Sequence, residues 1–258
     1  MNRLDTLKTG GKHIVFYLMA GDPDMDSTYS LVRMMEKNGV SAVELGIPFS
    51  DPVADGPAIQ RAGLRALKKG VNISKTLELV TKLRAEVKIP LIAMTYYNII
   101  LSYGVKKFVD DSLKAGLDGA IIPDLPFDEE PDFYEYALKK GFYLIYLAAP
   151  SNTDGRIKKI VEKTRGFVYY ILLKGVTGSG SQDKNPYAGV KRVKRLTKKA
   201  VFAGFGISEP AQAAAALKYA DGAIIGSAFV SLCEKYGASK KLMMEKAEGF
   251  VKKFTARK

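Results

Sequence analysis

The sequence has no tryptophan, one cysteine and one histidine in 258 residues. A lone Cys233 can form no intramolecular disulfide, which excludes a disulfide-stapled secreted domain and fits a reducing compartment. The expected location is cytoplasmic. Cys233 and His13 supply too few soft ligands for a zinc site of three or four His/Cys, so no metal is expected. No stretch approaches the ~20 apolar residues of a membrane span. The N-terminus, MNRLDTLKTGGKHIV, is polar where a signal peptide would carry its apolar core.

Charge is abundant but lopsided: 40 Lys+Arg face 27 Asp+Glu, a formal net charge of +13. Hydrophobic residues at 47% and charged residues at 26% are ordinary for a globular chain and exclude wholesale disorder. The length suits one α/β barrel as well as two smaller domains. No linker rich in Ser, Pro or Gly divides the chain, so residues 1–258 are read as one domain with a short N-terminal helical extension.

Short apolar, β-branched or aromatic runs recur at 13–19, 41–45, 90–95, 119–122, 142–148, 167–172, 200–203 and 222–225. Between them lie helix-period segments such as 74–86, 105–115 and 210–219, long enough to cross back to a parallel neighbour. The runs are apolar without clean alternation, as in strands covered on both faces. Eight βα units in this length predict a (β/α)8 TIM barrel, with an open doubly wound sheet as the alternative because spacing does not show closure. In a barrel the site belongs at the carboxyl ends of the strands, in the βα loops.

The segment AVELGIPFSDPVADGP ends a strand at Glu44 and carries Asp55 in the following loop. A carboxyl at the barrel mouth is partly desolvated, and a raised pKa suits general acid–base work near neutral pH. A second carboxyl on a loop gives one site an acid and a base in different environments. The bland alternative pairs Glu44 with a lysine and makes Asp55-Gly56 a turn. Gly206 after VFAGF, and Gly226-Ser227 at the start of a helical stretch, offer backbone N–H groups to an anion, with Gly178 adding donors from the sixth loop. Phosphate is the ligand this favours, against glycines that merely close turns.

Lys174, beyond FVYYILL, is a candidate Schiff-base lysine or simply a solvated one. The run KRVKRLTKK at 191–199 looks like a nucleic-acid patch, but Val190, Val193 and Leu196 fall three apart, which predicts a buried stripe with the charges on an outer helix face. Cys233 is expected to be buried, and His13 to face solvent at the amino end of its strand. Tyr17 and Tyr169 lie within strands and on spacing alone read as barrel filling.

Taken in order, VELGIPFSDPVADGPAIQ, PDLPFDEE, KGVTGSGS, AGFGIS and DGAIIGSA resemble the tryptophan synthase α-subunit family over nearly the whole chain. The resemblance implies a (β/α)8 barrel and reversible retro-aldol cleavage of indole-3-glycerol phosphate to indole and glyceraldehyde 3-phosphate. By resemblance Glu44 is the general acid–base residue and Asp55 the carboxylate at the indole N–H. Thr177 would orient Asp55, and Tyr169 would stand beside the reacting side chain. Gly178, Gly206, Gly226 and Ser227 would bind phosphate; Tyr17, Tyr96 and Asn98 would lie at the indole end of the pocket. The implied partner is a pyridoxal-phosphate-dependent β subunit in an αββα heterotetramer, with no cofactor in this chain and no nucleic acid or membrane partner.

Many family members carry a Ser-Arg pair where this chain has Leu172-Leu173, so the arginine's part in closing the sixth loop does not transfer. A free-standing indole-releasing lyase, a Lys174 Schiff-base aldolase and a non-catalytic phosphate-ligand or nucleic-acid-binding module stand as alternatives.

Overall fold

The computed structural model describes residues 2–172, 187–204 and 206–256. Nine parallel strands, β1 (His13–Met19), β2 (Ala42–Gly46), β3 (Leu91–Met94), β4 (Gly119–Ile121), β5 (Tyr143–Ile145), β6 (Leu147–Ala148), β7 (Phe167–Ile171), β8 (Ala200–Gly204) and β9 (Gly222–Ile225), form one sheet. Its order is β5-β4-β3-β2-β1-β9-β8-β7-β6. Only Tyr146 separates β5 from β6, so the two ends of this order are halves of one strand. The expected strand at 142–148 breaks where it changes neighbours: β5 pairs with β4, and β6 with β7. The Tyr146 N–H turns instead to the Thr164 hydroxyl at 3.2 Å. Counted this way, eight strands build a nearly closed (β/α)8 barrel, as the sequence spacing predicted.

The helices covering it, eleven among the described residues, are α1 (Met25–Lys37), α2 (Pro57–Lys68), α3 (Ile73–Arg84), α4 (Tyr97–Tyr103), α5 (Val105–Ala115), α6 (Pro131–Lys140), α7 (Asp154–Lys163), α8 (Ala188–Leu196), α9 (Pro210–Ala216), α10 (Ser227–Tyr236) and α11 (Lys240–Thr255). The segment expected at 105–115 forms as read. That at 74–86 begins one residue earlier because Asn72 caps it, its side chain accepting from the Lys75 N–H at 3.0 Å. The helix expected over 210–219 stops at Ala216, and its last three residues form a turn.

Strand alternation divides the core in two. Val15, Tyr17, Met19, Ile92, Met94, Ile121, Ile145, Phe167, Tyr169, Phe202 and Ile224 fill the barrel interior. Their neighbours Ile14, Phe16, Leu18, Val43, Leu45, Ala93, Val168, Val201 and Ile225 face the helices. Both faces are apolar because both are covered, which hid the alternation in the sequence.

The amino-terminal end of the barrel is closed by a 3₁₀ turn at Arg3–Thr6. Leu4 and Leu7 enter the interior cluster, and a Cβ on Gly119 or Gly166 would lie 3.2 or 3.4 Å from Leu4. Buried Asp118 fixes this end: it bonds the guanidinium groups of Arg3 (3.0 Å) and Arg84 (2.5 Å) and accepts the Leu91 N–H at 2.9 Å.

Because Leu4 is fully buried, Leu4→Ala should destabilise the chain by about 2–5 kcal/mol, the range for a core leucine that leaves a cavity. Urea denaturation checks this; a loss within ~0.5 kcal/mol, the range of surface substitutions, would mean the turn is not part of the core.

Candidate active site

In β2 the inward positions are Ala42, Glu44 and Gly46. Glu44 is in register with Tyr17 on β1 and Ile92 on β3, and is 1% exposed. Its Oε1 has no hydrogen-bond partner among the described residues. Burial without compensation disfavours the anion and pushes the carboxyl from its ordinary 4.5 up to about 8. Glu44 is therefore an acid at neutral pH. Among the described residues no lysine pairs with Glu44, the pairing that the sequence left open.

Two interior tyrosines flank this carboxyl because glycines opposite them leave room. A Cβ on Gly46 would lie 2.1 Å from the Tyr17 hydroxyl, and one on Gly204 would lie 2.2 Å from that of Tyr169. Burial first, then Asp55 and Glu44 for Tyr17 and Glu44 alone for Tyr169, push both phenols well above their ordinary range. They remain neutral. Barrel filling and site lining are here the same residues.

Asp55 stands at the end of the loop joining β2 to α2 and is half-buried. Burial raises its carboxyl to about 6 while a hydrogen bond from Tyr96 holds it down, so it is ionised at neutral pH. Glu44, Asp55, Tyr17, Tyr169, Ile59, Met94, Ile224, Gly206, Ile207, Gly226 and Ser227 surround one cavity of about 120 Å³. Beside it Tyr17, Phe49, Pro52, Asp55, Met94 and Tyr96 line a smaller, mostly apolar niche.

On the same cavity wall, α10 follows its N-cap Gly226, which has no side-chain cap. The first turn of a ten-residue helix therefore offers unpaired N–H groups and the positive end of its dipole. Gly206, at φ +83°, adopts the left-handed conformation that brings its backbone to the same place. An anion fits here, and neutral or acidic chemistry fits the carboxyl end.

The helices carrying these two ends are tied together. Arg65 of α2 forms two bonds to buried Asp22 (2.7 and 2.8 Å) and one to Glu234 of α10 (2.6 Å). Arg61 adds a bidentate pair to Glu234 at 2.8 Å. Such fork-shaped pairing fixes orientation as well as distance.

Of the residues expected from sequence, Glu44, Asp55, Tyr17, Tyr169, Gly206, Gly226 and Ser227 converge on the cavity, and Tyr96 lines the adjoining niche. Asn98 does not join them: it is exposed on α4 and lines neither space. Thr177, Gly178 and Lys174 lie outside the described residues. Phe49, Ile59, Met94, Ile207 and Ile224 went unnoticed as site residues, although Met94 and Ile224 could have been read from their places near strand ends. Among the described residues no group of three or more His, Cys, Asp or Glu is placed to hold a metal ion. Cys233 is buried, and Val190 and Val193 form the expected stripe of α8.

A family model described as "Tryptophan synthase alpha chain" matches residues 4–258. A tryptophan synthase alpha chain from a Thermoanaerobacter species is 44% identical, covering 97% of each chain. One from Petrotoga mobilis is 37% identical over 98% of each. Among solved structures, the tryptophan synthase complex of Pyrococcus furiosus contains a chain 34% identical with a TM-score of 0.86, covering 95% of this chain and 98% of that one. The alpha chain of Legionella pneumophila is 32% identical with a TM-score of 0.88, covering 99% and 97%.

The environment of Glu44 gives a stability prediction. Between 4.5 and about 8 the native chain keeps a proton that the unfolded chain releases, so stability falls as pH rises through that window and levels off above it. Glu44→Gln removes this loss. The variant should gain stability over the native chain by up to ~1.4 kcal/mol per pH unit crossed. Thermal or urea unfolding near pH 5 and pH 9 measures it, and a difference independent of pH would contradict a carboxyl protonated by burial.

Proposed function

This chain belongs to the tryptophan synthase alpha chain family, whose members cleave indole-3-glycerol phosphate, and on that premise we propose how its own residues perform the reaction. Glu44 is the general acid–base catalyst and Asp55 the carboxylate at the indole nitrogen. The observation that carries this is a neutral carboxyl and an ionised one facing the same cavity. Glu44 protonates indole C3, and positive charge then grows on the ring nitrogen, where Asp55 stabilises the N–H. The hydroxyl on the adjoining glycerol carbon gives its proton to the Glu44 carboxylate. The carbon–carbon bond breaks, its electrons restore the aromatic ring, and the new carbonyl belongs to glyceraldehyde 3-phosphate. Proton count and charge balance within Glu44 and substrate.

Gly206, Gly226 and Ser227 hold the phosphate, with Gly178 from the sixth loop; Tyr17, Tyr96 and Tyr169 shape the pocket, and Thr177 orients Asp55. These steps use proton transfer and hydrogen bonds, so we assign no cofactor to this chain and leave pyridoxal phosphate to the β subunit. A partner surface is supported beside the mouth, where Val53 is 83% and Leu64 51% exposed around a groove also lined by Phe49, Asp51 and Pro52. We read the chain as one domain working in the cytoplasm within an αββα assembly; no described helix is long and apolar enough to cross a membrane.

Indole release from indole-3-glycerol phosphate, with and without a cognate β subunit, tests this reading. Turnover should rise with the β subunit, and Glu44→Gln and Asp55→Asn should each lower it by roughly 10²- to 10⁴-fold. In the native chain kcat/KM should be bell-shaped, with limbs near 6 and 8 set by Asp55 and Glu44. Full turnover in Glu44→Gln would remove Glu44 from the mechanism.

A further inference from the structure

Asp55 is carried by a loop, yet its task needs a carboxylate fixed against one ring nitrogen. The bonds the loop makes nearby serve its backbone: the Asp55 N–H reaches the Pro52 carbonyl at a long 3.4 Å, and the Gln60 side chain donates to the Asp55 carbonyl at 2.8 Å. The side chain is reached from outside the loop. Tyr96, 4% exposed, accepts the Ala54 N–H at 3.0 Å and lines the same niche as Asp55, whose ionised form its hydroxyl favours. Its ring also packs on Phe49, with centroids 5.3 Å apart. One side chain thus meets the loop at Phe49 and at Ala54, the residue next to Asp55.

We propose that Tyr96 is a positioning residue for Asp55 in addition to Thr177, its hydroxyl setting where the carboxylate stands relative to the substrate. A phenol has one proton to donate; with Ala54 feeding its oxygen, that proton is left for the Asp55 carboxylate in the same niche, and two such bonds would reinforce each other. Tyr96 is anchored independently of the loop. Its carbonyl accepts the Ile99 N–H at 3.2 Å to start α4, and the Tyr97 N–H next to it bonds both carboxylate oxygens of Asp124, at 3.0 and 3.2 Å. The hydroxyl therefore refers the loop to the barrel rim. The inference rests on the assignment of Asp55 to the indole nitrogen.

The same bond favours the ionised form of Asp55 against its burial. The other titratable groups facing Asp55 are Tyr17 from β1 and Glu44 from β2, with Asp124 behind Tyr96; among the described residues no cation lines either cavity. Without the phenol, nothing described here opposes protonation.

Tyr96→Phe keeps the ring against Phe49 and removes only the hydroxyl. The experiment measures indole release from about pH 5 to 9, with saturating β subunit, for Tyr96→Phe, Asp55→Asn and the double variant. Tyr96→Phe should lose roughly 10- to 100-fold in kcat, as expected of a misplaced catalytic group. KM should change little, the acidic limb should move to higher pH, and the double variant should be no slower than Asp55→Asn. A wild-type kcat and acidic limb in Tyr96→Phe, with Asp55→Asn still inactive, would overturn the positioning role alone. Independent, multiplying losses in the double variant would also overturn it. An active Asp55→Asn would overturn the assignment of Asp55 beneath it.

Discussion

A carboxyl group taken out of water with an oxygen left without a hydrogen-bond partner is expensive to ionise, and Glu44 is held in that condition inside the barrel. The rest of the site follows from this one cost. An apolar interior keeps the proton on Glu44, with no neighbouring cation among the described residues, and the flanking tyrosines supply bulk without supplying charge. The second carboxyl must then come from somewhere less buried if it is to stay ionised. The loop after β2 meets that need, placing Asp55 at the rim while Glu44 stays within the strand. One segment of chain delivers two carboxyl groups to two environments, and the difference between strand interior and loop edge separates their proton affinities.

The fold was legible because its elements are local. The strand at 13–19, the strand at 222–225 and the helix at 105–115 have the bounds that their apolar patterns gave. The break at Tyr146 was not legible, since nothing in YLIYLA announces that its two halves pair with different neighbours. Glu44 was found because a carboxylate ending an apolar run violates the pattern around it. Its burial was invisible, because that depends on Ile92, Ile224 and Tyr169 arriving from distant segments. Tyr96 illustrates the same limit: its place in the pocket came from resemblance, whereas its hold on Ala54 and Asp55 is made by a loop folding back over another strand.

The charge of +13 also has a structural side. Several cations satisfy themselves without carboxylates. Lys199 donates to the carbonyls of Val161 (2.5 Å) and Thr164 (2.6 Å), capping the end of α7, where a helix presents partial negative charge. Lys191 lies 4.5 Å over the ring of Tyr219. Arg192 and Lys194 bond Asp154 and Asp221. Much of the basic run at 191–199 is thus engaged in holding helices to the barrel, which fits an outer helix face better than a nucleic-acid patch.

The aromatic rings laid over glycines inside the barrel bear on how this sequence is able to diverge. Tyr17 occupies the space that any side chain at Gly46 would need, and Tyr169 does the same at Gly204. Each pair is in effect one unit of inheritance: neither glycine is free to change until its tyrosine has shrunk, and a shrunken tyrosine opens the wall around Glu44. The pocket is locked by small residues that touch no substrate, and drift toward another substrate shape would have to pass through paired substitutions on adjacent strands.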